Sequence, residues 1–157
     1  MGYLERLRKH VGTASIKVPG GRAILANGTG EVLLQKRTDF GIWGLPAGCP
    51  EDEESALDSI VREVFEETGL HIADPVCIGY SSNPDYELIE YPNGDRIHCY
   101  SLIFLARRWS GEMISANEET AALAFFPLDD LPELLPNMSR ALDLYGRYLA
   151  TGEFQLD

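Results

Sequence analysis

No apolar run in this sequence approaches the roughly 20 residues that a membrane-spanning helix needs, so none is expected. Cysteine is scarce. Cys49, Cys77 and Cys99 stand far apart, with neither metal-ligand spacing nor the even count of a disulfide framework. Reduced thiols in a cytoplasmic protein are the expectation. His10, His71 and His98 are equally scattered, which argues against a sequence-local zinc site. Basic charge is short as well. Lys and Arg number 13 against 25 Asp and Glu, a net charge of −12, which leaves no basic stripe for duplex nucleic acid as the main partner. The opening MGYLERLRKHV alternates charges with leucines and has no apolar signal core, so export is not expected. Tyr3 and Arg6 fit the myristoylation pattern poorly.

What is present suits a single domain over residues 1–157, with 45% hydrophobic and 24% charged residues. Residues 3–11 read as a short amphipathic helix. Pro19-Gly20-Gly21 reads as a break. Strands over 22–26 and 31–37 follow, joined as a hairpin through Asn27-Gly28-Thr29-Gly30. Further strands are expected over 76–81, 87–91, 96–106 and 122–126, with a hairpin turn at Pro92-Asn93-Gly94-Asp95. A helical turn over 131–135 and a closing helix over 139–150, with Leu142, Tyr145 and Leu149 inward, complete the chain. Strands mixed with a few helices point to a sheet packed between helices, an α/β (α+β) architecture.

The clearest helix follows Pro46-Ala47-Gly48. Leu57, Ile60, Val61 and Val64 recur at helical spacing as one buried face, and Gly69 closes the helix. Acid is concentrated here: Glu51, Asp52, Glu53, Glu54, Asp58, Glu63, Glu66 and Glu67 face a single base, Arg62. Glu63, Glu66 and Glu67 share one stripe beside the apolar face, where a solvated stripe would lie opposite it. Uncompensated, such like-charge pairs cost roughly 0.2–0.5 kcal/mol each. Carboxylates of this kind either sit in water or hold a hard cation such as Mg²⁺ against substrate phosphates.

The flanking pattern decides between those two. Gly48, five residues, Glu54, seven residues, Arg62-Glu63-Val64, one residue, Glu66-Glu67, one residue and Gly69-Leu70 match the Nudix box, and the chain resembles the Nudix hydrolase superfamily. The resemblance implies an α/β/α sandwich with a mixed central sheet, whose box (48–70) is a catalytic loop–helix–loop. It implies Mg²⁺, with Mn²⁺ as a substitute, and hydrolysis of the diphosphate in a nucleoside diphosphate derivative. The metals neutralise the diphosphate oxygens and activate water for in-line attack, and a carboxylate takes the proton.

By the same resemblance Glu66 and Glu67 fall on the principal metal positions, and Glu63 on a metal position that serves some members as base. Glu54 and Arg62 shape the site, and the Ala47 carbonyl adds a ligand. Glu119, before the strand at 122–126, stands where several members carry a further metal-binding or catalytic glutamate. Arg37, and less strongly Arg22, resemble phosphate contacts. Trp43 and Tyr86 offer faces on which a base could stack for about 1–3 kcal/mol. Many members have Gly where this chain has Ala47 and Glu53, which leaves the loop geometry in question. Tyr86 resembles a tyrosine of dinucleoside-polyphosphate members, and Pro84 lies near a proline of ADP-ribose members. ADP-ribose, nucleotide sugars, free or oxidised nucleoside triphosphates and dinucleoside polyphosphates therefore all stay open. The alternatives are a catalytically silent nucleotide-sensing module and the fold's isoprenoid diphosphate isomerase branch, which the intact carboxylates and an isolated Cys49 respectively disfavour. Homodimers are common in the family, and the N-terminal helix or strand 96–106 could supply an interface.

Overall fold

Residues 23–26 point by turns into two separate cores, as a strand buried on both faces must. Ala23 and Leu25 pack in one cluster with Ile60, Val64 and Phe104, while Ile24 and Ala26 pack in the other with Ile103, Leu142 and Tyr145. A sheet with one helix on each face is the consequence, the α/β/α layering that the sequence implied. The computed structural model describes residues 2–157, and Met1 lies outside the described residues.

In chain order the elements are α1 (Tyr3–Val11), β1 (Ile16–Leu25), β2 (Val32–Arg37), β3 (Trp43–Gly44), β4 (Ala47–Gly48), α2 (Ala56–Thr68), β5 (Leu70–Ala73) and β6 (Val76–Ser81). They continue with α3 (Pro84–Glu87), β7 (Leu88–Glu90), β8 (Arg96–Ala106), β9 (Arg108–Gly111), β10 (Thr120–Phe126), α4 (Pro136–Thr151) and β11 (Gln155–Leu156). The central sheet has the order β11-β6-β8-β1-β4, with β7 also on β8. It is mixed, because β1 runs parallel to β8 from Ile16↔Ile97 to Leu25↔Ala106 while β6 and β8 are antiparallel. A second sheet, β10-β2-β3, and a β5-β9 ribbon flank it. Among the described residues no helix is long and apolar enough to cross a membrane.

Four expectations are corrected. Strands β1 and β2 are not a hairpin: they enter different sheets and share only an isolated bridge, Ala26↔Val32. Pro19-Gly20-Gly21 does not break the chain but lies inside β1. Pro19 is tolerated because β1 is paired there on the β8 side alone, β4 joining only at Gly21 and Arg22. Gly20 is favoured by close approach, whereas a Cβ on Gly21 would meet only ordinary contact. A Cβ on Gly20 would stand 3.2 Å from Ser101 Oγ, and one on Gly21 3.5 Å from Ile60 on α2. Residues 131–135 form no helical turn; Leu134 bridges Trp43, and the helix starts instead at Pro136, whose ring suits a first turn. Leu57 and Leu149, assigned inward, are exposed in the terminal turns of their helices.

α2 is bounded as its sequence requires. Ser55 Oγ accepts from Asp58 N at 3.1 Å, and Gly69 takes a φ of 78° with its N–H on Phe65 O. A Cβ there would also lie 2.5 Å from Glu112 O. The helix is thereby fixed against β4 and the loop before β10, with its acidic stripe at their junction.

Candidate active site

Glu67 is the deepest of the acidic groups, only 3% exposed. Its Oε2 accepts the backbone N–H of Ala47 at 2.9 Å, which ties α2 to β4. Burial is the main cause that pushes its pKa up to about 8, and the nearby Glu63 adds to the rise. Glu63, one turn earlier, is pushed up to about 7, again chiefly by burial, with Glu66 and Glu119 contributing. Its carboxylate lies flat against Gly48, where any Cβ would overlap it. The first glycine of the box is therefore a steric requirement of its second glutamate.

Arg62 organises the rest. Nε and Nη2 grip Glu54 at 2.9 Å each, the planar fork that suits a carboxylate. Nη1 donates to Glu63 at 2.9 Å and to Glu66 at 3.0 Å, and Nη2 also holds the Cys49 carbonyl at 3.1 Å. These partners raise the guanidinium pKa, Glu54 foremost, and Arg62 in turn lowers that of Glu54. Loop 49–54 is thus clamped to α2 through one side chain.

The groove over this stripe, about 460 Å³, brings together Ala47, Glu63, Glu66, Glu67, Glu119 and Arg37. Glu119 is held there by its loop: Asn117 Nδ2 donates to Glu66 O at 2.8 Å, and Asn117 Oδ1 accepts from Glu119 N at 2.9 Å. Thr38 N donates to Glu119 O on the opposite side. Arg37 is paired with Asp39 at 2.7 Å, and that pairing outweighs burial to raise its pKa. Every side-chain donor of this set is a carboxylate oxygen, the ligand type that Mg²⁺ prefers. Among the described residues no three acidic, His or Cys side chains yet converge tightly enough to hold an ion. Arg62 occupies that role by bridging Glu63 and Glu66. The donor chemistry fits a hard cation, and Glu66, 53% exposed, has room to turn from Arg62 toward one.

The other residues singled out in the sequence lie elsewhere. Trp43 packs edge-on against Phe126 at 4.9 Å within the α4-side core. Tyr86 lies under the Arg140 guanidinium at 5.0 Å, away from the groove. Arg22 is buried with both its terminal nitrogens on Glu87, at 2.7 and 2.5 Å. It walls a narrow recess of about 70 Å³ behind β4, shared with Arg37, Phe40, Tyr91, Ser101 and Asn137. Sequence reasoning missed three of these. Phe40 and Tyr91 face each other at 5.3 Å at the junction of recess and groove. Asn137 is buried in the first turn of α4 with Oδ1 lacking a hydrogen-bond partner among the described residues. An unpaired buried acceptor costs about 1–3 kcal/mol, which is the signal of a group waiting for a ligand or a water, but no local pattern announces it.

Carboxylates on a clamped loop–helix–loop, facing an arginine across an open groove, suit the hydrolysis of a phosphoric anhydride. The chain belongs to the Nudix family: the NUDIX domain model matches residues 17–145. It is accordingly a pyrophosphohydrolase of the kind that acts on nucleoside diphosphate derivatives. A putative 8-oxo-dGTP diphosphatase of Bacillus subtilis is 31% identical over 79% of this chain and 76% of its own length. A NAD-capped RNA hydrolase of Pseudomonas aeruginosa is 35% identical over 76% of this chain, which spans only 40% of that longer protein. The crystal structure of an ADP-ribose pyrophosphatase from Streptococcus suis superimposes with a TM-score of 0.69 and 27% identity, covering 89% of this chain and 98% of that one. The relatives share the fold and differ in the substrate they are named for.

Proposed function

We propose that this enzyme uses Mg²⁺ to hydrolyse a nucleoside diphosphate joined to a second group, with the diphosphate lying along Glu63, Glu66, Glu67 and Glu119. The observation that carries the reading is the single groove shared by those carboxylates and Arg37. Glu63, Glu66 and Glu67 would hold Mg²⁺, which would supply neutralisation of the diphosphate oxygens and a lowered pKa for water. Arg37 contacts a phosphate oxygen, released in part from Asp39. Glu119, exposed on the far wall, takes the proton of the attacking water. Glu63 is the less suited base, since Arg62 and the Gly48 backbone fix it in place.

Two recesses flank the groove. The narrow one behind β4, about 70 Å³, is too small for a whole nucleoside; Phe40 and Tyr91 at its mouth offer the faces a base would meet, with the Asn137 amide behind them. The wider one, about 580 Å³, lies between α1 and the β7–β8 hairpin and meets the groove at Leu4, Glu5 and Tyr91. Its room for a second moiety favours ADP-ribose or a nucleotide sugar over a plain nucleoside triphosphate. The test is a Mg²⁺-supplemented screen of ADP-ribose, nucleotide sugars, normal and oxidised nucleoside triphosphates and dinucleoside polyphosphates, with monophosphate and phosphate release followed. Turnover of a linked diphosphate well above triphosphates is expected. Preference for triphosphates would overturn the two-recess reading, and no turnover of any member would overturn the enzymatic one.

A further inference from the structure

Among the buried residues of β2, Val32 to Gln35, only Gln35 is polar. It follows Leu33 on the α2-facing side of β2 and is buried to 1% exposure. Its Oε1 accepts from Thr120 Oγ1 at 2.7 Å. Its Nε2 has no hydrogen-bond partner among the described residues. The same Thr120 Oγ1 lies 3.0 Å from Glu67 O, so one hydroxyl separates the Gln35 amide from Glu67, the buried acidic residue of this layer. Thr120 can donate or accept, so it tolerates either orientation of the amide; an N–H directed at the Glu67 carboxylate is favoured because a carboxylate only accepts. A buried donor left unpaired costs about 1–3 kcal/mol, and a leucine or methionine at this site would avoid the cost.

We infer that Gln35 is a positioning residue for the metal site: its Nε2 donates to the ionised Glu67 carboxylate opposite the Ala47 N–H and turns the remaining oxygen lone pairs toward the groove. This rests on the proposal that Glu67 binds Mg²⁺. Two fixed donors, one from β4 and one from β2, would then hold a carboxylate that the Arg62 clamp does not reach. Groups that orient a metal ligand in this way are commonly worth about 10–100-fold in metal affinity.

The test uses Gln35→Leu and Gln35→Met, with Mn²⁺ as the probe. Free Mn²⁺ is followed by electron paramagnetic resonance, and melting of the metal-stripped protein is measured alongside. Both variants are expected to weaken Mn²⁺ binding about 10-fold or more, to melt no lower than the parent without metal, and to lose kcat with little change in KM. Gln35→Met serves if the branched leucine disturbs packing. Lower melting with unchanged Mn²⁺ affinity would make Gln35 merely structural and overturn the inference. Failure of the unaltered protein to bind Mn²⁺ would instead remove the metal reading on which the inference stands.

Discussion

Ala47 N donates to Glu67 Oε2 at 2.9 Å, so the deepest carboxylate of α2 is anchored to the strand that opens the box. That anchor does not compensate its burial, and the acid is left with a pKa near 8, beside Glu63 near 7. Unfolded, both groups return to ordinary glutamate behaviour near 4.5. Between those values the native state binds more protons than the unfolded state, so stability falls as pH rises. Metal-stripped protein is expected to lose melting temperature steadily from pH 5 to pH 8.5. Mg²⁺ should raise it more at the upper end, where it displaces fewer protons. Glu67→Gln should flatten the profile and lower turnover by about two orders of magnitude or more. A melting temperature that climbs over this interval, or full turnover by Glu67→Gln, would contradict the assignment of Glu67 to the metal.

Gly48→Ala tests the packing of the box. The added methyl overlaps the Glu63 carboxylate, a flexible group that can yield without unfolding the chain. The variant should therefore melt within a few degrees of the parent yet lose roughly 100-fold in kcat, the scale expected when a reacting group is displaced by about 1 Å. Steady-state kinetics with parallel thermal melts separates the two effects. A stable variant with undiminished kcat would show that the position of Glu63 does not matter.

The Arg22–Glu87 pair is fully buried and joins β1 to the end of α3. Removing one partner strands the other charge, at a cost of about 3–5 kcal/mol. Glu87→Leu alone should lower the melting temperature on the order of 10 °C. Arg22→Met combined with Glu87→Leu should recover most of that loss, because an apolar pair of similar volume avoids both desolvation costs. Arg22 was the weaker of the two phosphate contacts expected from the sequence. A double variant that folds but no longer turns over substrate would show that Arg22 contacts it directly.

The parts of the site legible in advance are those whose chemistry is local. Glu63, Glu66 and Glu67 share a face because a helix repeats every 3.6 residues, and Gly69 is a cap because only glycine enters that conformation easily. The recess behind β4 was not legible. Arg22, Tyr91 and Asn137 meet there only because β1 pairs in parallel with β8, some eighty residues on, and because α4 begins at Pro136. Parallel pairing leaves no turn signal, unlike the β7–β8 hairpin, whose Asn93-Gly94 turn was read directly. The buried amides of Gln35 and Asn137 were equally hidden. A lone glutamine in a strand has meaning only once its neighbours across the sheet are known.

Ala47 and Glu53 stand where many relatives carry glycine, and the structure separates the two cases. Ala47 has an ordinary strand conformation and pairs with Arg22, so its methyl is harmless. Glu53 has a φ of 61°, in the left-handed region that penalises a side chain by about 1–2 kcal/mol. Glycine would remove that strain but would also give the unfolded chain more freedom, worth about 0.5–1 kcal/mol in the opposite sense. Glu53→Gly should therefore stabilise the protein by about 0.5–1 kcal/mol, a rise in melting temperature of roughly 1–4 °C. Turnover should change little, because the Arg62–Glu54 clamp fixes the loop immediately after this position. Calorimetry and kinetics on the same preparation check both statements. A lower melting temperature would mean that the loop relaxes around Glu53 in solution, and a large change in turnover would place this turn, and not the Arg62 clamp, in control of the site.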